Sequence, residues 1–355
     1  MKLKNLLVLA ASSFMLLSCN NGGGESRNGG GGDSSTPSEP PVVEPIKWEY
    51  NLSDDESYYI LTIEEIVATE LFDMVIPSEY NGKPIKQVGY DNLLFISYLE
   101  GKEFVRSVTF PDSVTHLGGG NAQGLMPDLE NLESVVFSKN CKDIPYCCFN
   151  GCSKLSEVSI PEGVESIERG AFGYTSALET ITFPSTLIRI YEEAFHHSGL
   201  KTINWPQSLK DGAYMQMEQK VFQSCENLET VILPDYIYAY TGPYQSRNWF
   251  DSCTGIKRFR MSGLVERLVG FPFGQFGSNY QLEEYILPAS VTKLEKQTLF
   301  FSTSKFTHIT TLTYEGSKSE WQAITKDPEY LDWDTYSSAL TTVHSLKDDQ
   351  TFSIR

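Results

Sequence analysis

LSEVSIPEGVESIERGAFGYTSA, residues 155–177, decides the fold, because its neighbours repeat it. Residues 132–154 read LESVVFSKNCKDIPYCCFNGCSK, and residues 178–199 read LETITFPSTLIRIYEEAFHHSG. The opening leucines stand at 132, 155, 178 and 200, a period of 22 to 23 residues. Self-similarity at such a period is the mark of a solenoid, in which no copy buries its apolar face alone. Leu155, Val158 and Ile160 alternate as a short strand, and Pro161 ends it because proline cannot donate to a ladder. Val164, Ile167, Ala171 and Phe172 follow as further inward positions.

Carried along the chain, the pattern predicts strands that close at Ile76, Phe110, Phe137, Ile160, Phe183, Trp205, Leu233, Met261, Leu287 and Tyr314. A bulky column runs through Phe95, Met126, Phe149, Phe172, Phe195, Phe222, Phe250, Phe276 and Phe300. The expected fold is a β-dominated leucine-rich-repeat solenoid with short helical turns. About ten stacked repeats form one parallel sheet, capped at both ends.

The columns resemble the BspA-like leucine-rich repeat, close to L-x-x-V-x-I-P-x-x-V-x-x-I-x-x-x-A-F, over roughly residues 47–355. IPSEYNGKPIKQVG (76–89) is similar to that family's first repeat and LTYEGSKSEWQAI (312–324) to its last. The resemblance implies a secreted or surface-bound binding protein, often an adhesin or interaction scaffold, and names no ligand. It implies a protein or glycan partner, host extracellular matrix among the options. The alternative is a structural or envelope-assembly component that binds another protein of the same cell.

The chain begins with Lys2, Lys4 and an apolar run from Leu6 to Leu17, the pattern of an export signal. Leu16-Leu17-Ser18-Cys19 resembles a bacterial lipobox, which implies that Cys19 becomes a lipidated N-terminus. The place implied is the bacterial envelope, outer membrane and surface-exposed, with contact to lipid through that anchor only. The parts expected are a signal peptide at 1–18, a Gly/Ser/Pro tether at 19–46, an N-terminal cap at 47–70, the solenoid at 71–314 and a C-terminal cap at 315–355. The cap reading rests on a hairpin about Ser53–Glu56 and on a short helix opened by Ser317 or Ser319.

Net charge is −18, and −20 once Lys2 and Lys4 are removed, which argues against nucleic acid as a partner. Seven cysteines invite a metal or disulfide reading, but C-x5-CC-x3-C at 141–152 is not paired zinc spacing. Cys141 takes the column of Val164, Cys148 that of Ala171, and Cys152 a small column shared with Thr175, Ser198, Cys225 and Cys253. These read as buried thiols, with Cys147 in the place of Gly170 as the accessible one. The five histidines fall into no metal motif, and no nucleophile elbow or phosphate loop occurs. The reading is non-catalytic, with no cofactor and no metal.

Candidate contacts come from two places. The period lengthens to 28 after Leu200 and again after Leu228 and to 26 after Ile256, through insertions at 211–219, 236–249 and 265–277, and insertions tend to gather on a binding face. Tyr236 and Tyr238 flank inward Ile237 in the second insertion; they are contact candidates, or the insertion folds back over them. The outward strand column Val75, Thr109, Val136, Ser159, Thr182, Asn204, Ile232, Arg260, Ile286 and Thr313 carries an arginine between two isoleucines. Arg260 with Ile232 and Ile286 has an interface composition. The other reading is that Arg260 pairs with a nearby acid under a covering loop. One column over, Arg258 is expected to face Glu284, and Lys257 to face Glu283 in the next.

Overall fold

Most repeats turn a corner at a proline, and Ser138 and Ser262 hold that place in two others. The carbonyls of Pro111, Pro161, Pro184, Pro234 and Pro288 each accept the N–H three residues on, from Val114, Val164, Leu187, Ile237 and Val291. Before that corner lies a front strand, and after it a back strand of two or three residues. The computed structural model describes residues 44–90, 96, 98–118, 124–238, 249–268, 281–295, 309–333, 336–337 and 340–354. Glu44–Arg355 is one compact unit.

The front strands among the described residues are Phe72–Val75, Val105–Thr109, Ser134–Val136, Glu157–Ser159, Thr180–Thr182, Thr202–Asn204, Thr230–Ile232, Arg258–Arg260, Glu284–Leu287 and Thr311–Tyr314. Their register matches the expected outward column: Val75 lies opposite Thr109, Thr182 opposite Asn204, Ile232 opposite Arg260, and Ile286 opposite Thr313. The strands do not make one continuous sheet. The ladder breaks between Glu157–Ser159 and Thr180–Thr182, and again between Thr202–Asn204 and Thr230–Ile232.

A second parallel ladder, absent from the sequence reading, runs along the back. It joins Asp143–Ile144, Ser166–Ile167, Arg189–Ile190, Met215–Met217 and Ile237–Tyr238. This ladder stays paired across both front breaks. The turn carrying the phenylalanine column stays bonded too: Phe172 N–H donates to Ala194 O, Phe195 to Val221 O, and Phe222 to Trp249 O. The coil therefore has three sides, and across these two breaks the other two hold; the back ladder has its own interruptions, between His116–Leu117 and Asp143–Ile144 and between Ile237–Tyr238 and Arg267–Leu268.

Phe149, Phe172, Phe195, Phe222 and Phe250 are fully buried. They form a stack with centroids 6.1, 5.3, 5.5 and 5.3 Å apart. The offset between rings keeps their faces in favourable contact. Phe95, Phe276 and Phe300 of the expected column lie outside the described residues.

The cysteines behave as small core groups. Cys141, Cys148, Cys152, Cys225 and Cys253 are buried, and no disulfide joins them or half-buried Cys147 among the described residues. Cys152 Sγ donates to Met126 O at 3.4 Å, Cys225 to Phe195 O at 3.1 Å and Cys253 to Phe222 O at 2.9 Å, tying each repeat to the one before. Burial pushes the Cys141 thiol up to about 11 and Cys152 up to about 12, so both stay protonated and unreactive.

The ends are antiparallel. Ile46–Leu52 pairs with Tyr59–Ile66 as the hairpin expected around Ser53–Glu56, and the latter strand docks on Lys83–Val88 of the back face. At the other end, Thr342–Ser345 adds to Thr311–Tyr314 and turns back into Gln350–Ser353. The helix Lys318–Ala323 opens at Ser317: Ser317 Oγ accepts from Glu320 N–H at 3.2 Å, and Glu320 Oε2 accepts from Ser317 N–H at 2.6 Å.

Two exposed carboxylates make the fold acid-sensitive. Lys347 and the cap hydrogen bonds hold Glu320 at about 2, and Arg106 with Ser107 holds Asp73 at about 2. A depressed folded value gives stability that is complete above the ordinary carboxylate range and lost as pH falls toward the folded value. Urea midpoints are expected to fall steadily from about pH 5 to about pH 2. The slope should flatten in the Asp73→Asn, Glu320→Gln double variant; an unchanged slope would count against both assignments.

Candidate functional site

Beside the front break after Thr202–Asn204 the corner is built differently. In the corners at Pro111, Pro161, Pro184, Pro234 and Pro288 the proline carbonyl closes a turn, but Pro206 O accepts from Tyr236 Oη at 2.5 Å instead. Eight residues then intervene before the back strand Met215–Met217, including a short 3-10 turn at Lys210–Gly212. After this longer arc the back strand keeps its register with Arg189–Ile190, while the front strand is not paired with its next neighbour. Where the ladder is intact, Thr202 N–H donates to Glu179 O and Phe183 N–H to Asn204 O. The equivalent bonds across the gap would run from Thr230 N–H to Lys201 O and from Trp205 N–H to Ile232 O. Neither forms among the described residues.

The gap is a cleft of about 830 Å³, lined on one side by Ile203 and Trp205 and on the other by Thr230 and Ile232. Ile203 and Trp205 belong to the inward column, most of whose members, such as Ile181 and Val231, are shut away, although Val158 beside the other front break is half-buried as well. Here both are only half-buried. Trp205 leans on Phe183 and Phe222, with centroids 5.1 and 6.3 Å away, so the ring is fixed from below. Asn227 and Gln281 flank Gly255 on the wall. A Cβ at Gly255 would stand 2.2 Å from Glu226 O, so only glycine permits that close approach.

Charges around the cleft are mostly matched. Lys201 pairs with Glu179 at 2.5 Å and Lys257 with Glu229 at 3.0 Å, on the exposed face. Arg258 meets Glu284 at 2.5 Å, as the column spacing predicts. The expected Lys257–Glu283 pair is corrected: Lys257 reaches back to the preceding strand rather than forward.

Of the contact candidates, Ile232 lies in the cleft wall and is 39% exposed. Ile286 is not an exposed neighbour of Arg260, for it is 5% exposed. Arg260 is not unpaired either. Its Nε and Nη2 meet both Glu315 oxygens at 2.6 and 3.0 Å, and Nη1 meets Asp235 Oδ1 at 2.8 Å. Burial opposes charge on this guanidinium, but the hydrogen bonds from Glu315 and Asp235 outweigh it and raise its pKa. Two premises of the three-residue patch, an exposed Ile286 and an Arg260 without an acidic partner, are thereby corrected, and the alternative reading that Arg260 pairs with a nearby acid holds. The cause is that Asp235 and Glu315 sit in corners just past their strands, outside the column used to look for partners.

Tyr236 is half-buried, with its hydroxyl on Pro206 and its phenol pKa raised by burial. It bolts the two repeats together at one end of the cleft and presents no free hydroxyl. The side chain of Tyr238 and Cys19 lie outside the described residues. Trp205 went unremarked in sequence because it obeys the inward column; its visible signal was the jump in period immediately after it. Among the described residues, no group of three or more His, Cys, Asp or Glu side chains could hold a metal ion.

The repeat columns find their counterpart in a known family model. The model of the BspA type leucine rich repeat region matches residues 127–240 and 211–319, in six copies, together more than half of the chain. The chain belongs to the BspA-type leucine-rich-repeat family. Solved structures similar to this BspA-type chain include a leucine-rich repeat protein from Bacteroides ovatus (19% identity, TM-score 0.48, 86% of this chain and 70% of that one). A leucine rich cell surface protein from Faecalibacterium prausnitzii is 20% identical (TM-score 0.32, 82% and 99% covered). The pneumococcal vaccine antigen PcpA is 16% identical (TM-score 0.40, 85% and 86% covered). No curated protein matches. Family membership thus carries the architecture of the BspA-type coil, while the cleft is read from this chain's own residues.

Proposed function

We propose that this chain is a non-catalytic binding module, held at a bacterial cell surface by a lipid on Cys19, with the front face as its binding side. One observation carries the reading. The front is the side on which a repeat protein of this family leaves inward residues, Ile203 and Trp205, half-open in a preformed cleft. The cleft sets the apolar surface of Ile203, Trp205 and Ile232 among polar side chains, and concave sites that combine the two kinds of surface are a usual form of ligand site. The lipobox-like Leu16–Cys19 and the glycine-rich stretch behind it support an anchored, tethered module. A lipidated cysteine followed by a flexible tether would hold the coil away from the membrane.

The test has two steps. Cys19→Ala is expected to move the full chain from the membrane to the soluble fraction of detergent-free lysates. Full retention in the membrane fraction would refute the anchor. Protease shaving of intact cells is expected to remove the wild-type chain, and cells so treated should lose binding to a panel of immobilised matrix proteins and glycans. Survival of the chain under shaving would instead place its partner inside the envelope, as an assembly component.

A further inference from the structure

We infer that the cleft between Thr202–Asn204 and Thr230–Ile232 binds a neutral oligosaccharide, with Trp205 as its platform. The inference rests on the binding-module reading above and names the ligand class of that site.

The argument begins with the unusual state of Trp205. An inward tryptophan in a closed coil would be buried, as Trp249 is. Trp205 is held from beneath by Phe183 and Phe222 and left open at the gap. A sugar ring has one face of C–H groups, which packs on an aromatic ring, and a rim of hydroxyls, which needs donors and acceptors together. The cleft offers both kinds. Trp205, Ile203 and Ile232 give apolar surface, while Thr230, Asn227 and Glu226 line the same space with a hydroxyl, an amide and a carboxylate. The strand edges add the Trp205 N–H and Lys201 C=O that the broken ladder leaves without their usual partners. Polar backbone of this kind stays solvated in an open cleft and is ready to exchange water for ligand hydroxyls.

Charge selects against acidic ligands. Lys201 and Lys257 are engaged by Glu179 and Glu229, and Glu226 makes no ion pair among the described residues. The lining is therefore net negative, which repels sialylated or sulfated sugars and nucleic acid. A volume of about 830 Å³ leaves room for a short oligosaccharide rather than one ring. Fixed walls favour binding, since the back ladder and the phenylalanine turn hold both repeats and little must be ordered.

The test is calorimetric titration of the purified full chain with neutral gluco-, manno-, galacto- and xylo-oligosaccharides of about two to six residues, a length set by the cleft volume. Thr230→Trp fills the cleft from an exposed position and should fold normally, checked by its unfolding midpoint. Trp205→Phe keeps the packing and shrinks the platform. At least one oligosaccharide is expected to bind, with affinity lowered about tenfold or more in both variants, in line with loss of a stacking ring. No binding by any neutral oligosaccharide overturns the inference, as does binding that Thr230→Trp leaves unchanged. If a protein ligand from the matrix panel binds instead and Thr230→Trp abolishes it, the binding-module reading stands and the glycan class falls. If ligands bind but ignore Thr230→Trp, the cleft itself is excluded.

Discussion

Phe195→Ala is expected to lower the stability of the folded unit by about 3–5 kcal/mol, the range for truncating a buried aromatic. Phe195 is fully buried in the middle of the ring stack, between Phe172 at 5.3 Å and Phe222 at 5.5 Å, with Phe183 edge-on at 5.7 Å. Its removal leaves a cavity that the repeat cannot close, because the backbone on each side is pinned by Phe172 N–H to Ala194 O and Phe195 N–H to Val221 O. Partial collapse is the usual relief for such cavities, and here the coil is held on the back side too. Because neighbouring repeats are coupled only through their shared faces, the loss should appear as earlier unfolding about the site and as a lower midpoint in denaturant. Reversible urea denaturation measures it. A loss below about 1 kcal/mol would mean that the ring contributes little to the core.

The second large effect concerns Arg260. Arg260→Ala is expected to cost about 2 kcal/mol, less than the roughly 3–5 kcal/mol of a fully buried pair, since its partners keep contact with water. Arg260 is 17% exposed in its side chain, Glu315 29% and Asp235 66%. The alanine variant strands Glu315 in a half-buried corner, while Asp235 can be resolvated. The guanidinium also binds Leu233 O at 3.0 Å, which would lose that donor. The combined Arg260→Met, Glu315→Gln variant should recover most of the loss, because the one charge then left without its partner, Asp235, is exposed to water. A double-mutant cycle between the two positions gives the coupling directly; a coupling near zero would show the clamp to be incidental. Ligand affinity, corrected for folding, should not change in Arg260→Ala, since the clamp lies outside the cleft lining.

Much of this architecture was legible in the residues alone. The 22–23 residue period located the front strands, and the register from Val75 to Thr313 emerged because inward and outward positions alternate in every copy. The phenylalanine stack and the buried thiols followed from the same columns, since stacked identical positions must share an environment. Arg258 and Glu284 were paired correctly because their partners sit at equal register. These are properties of repetition, and repetition is written in sequence.

Only the tertiary structure decided the rest. The back ladder escaped notice because two-residue strands such as Ser166–Ile167 are too short to show alternation. The Arg260 clamp escaped because Asp235 and Glu315 come from corners, where the columns no longer say which side chains meet. Ile286 looked outward by register, but at this position the packing around it covers it. The cleft was not legible because at this repeat the back strands and the phenylalanine turn keep their hydrogen bonds while the front pair does not, and the front ladder also parts between Glu157–Ser159 and Thr180–Thr182, where the period is regular. The period says how the copies follow one another; which neighbouring strands pair is decided by the hydrogen bonds and packing on the three sides of the folded coil.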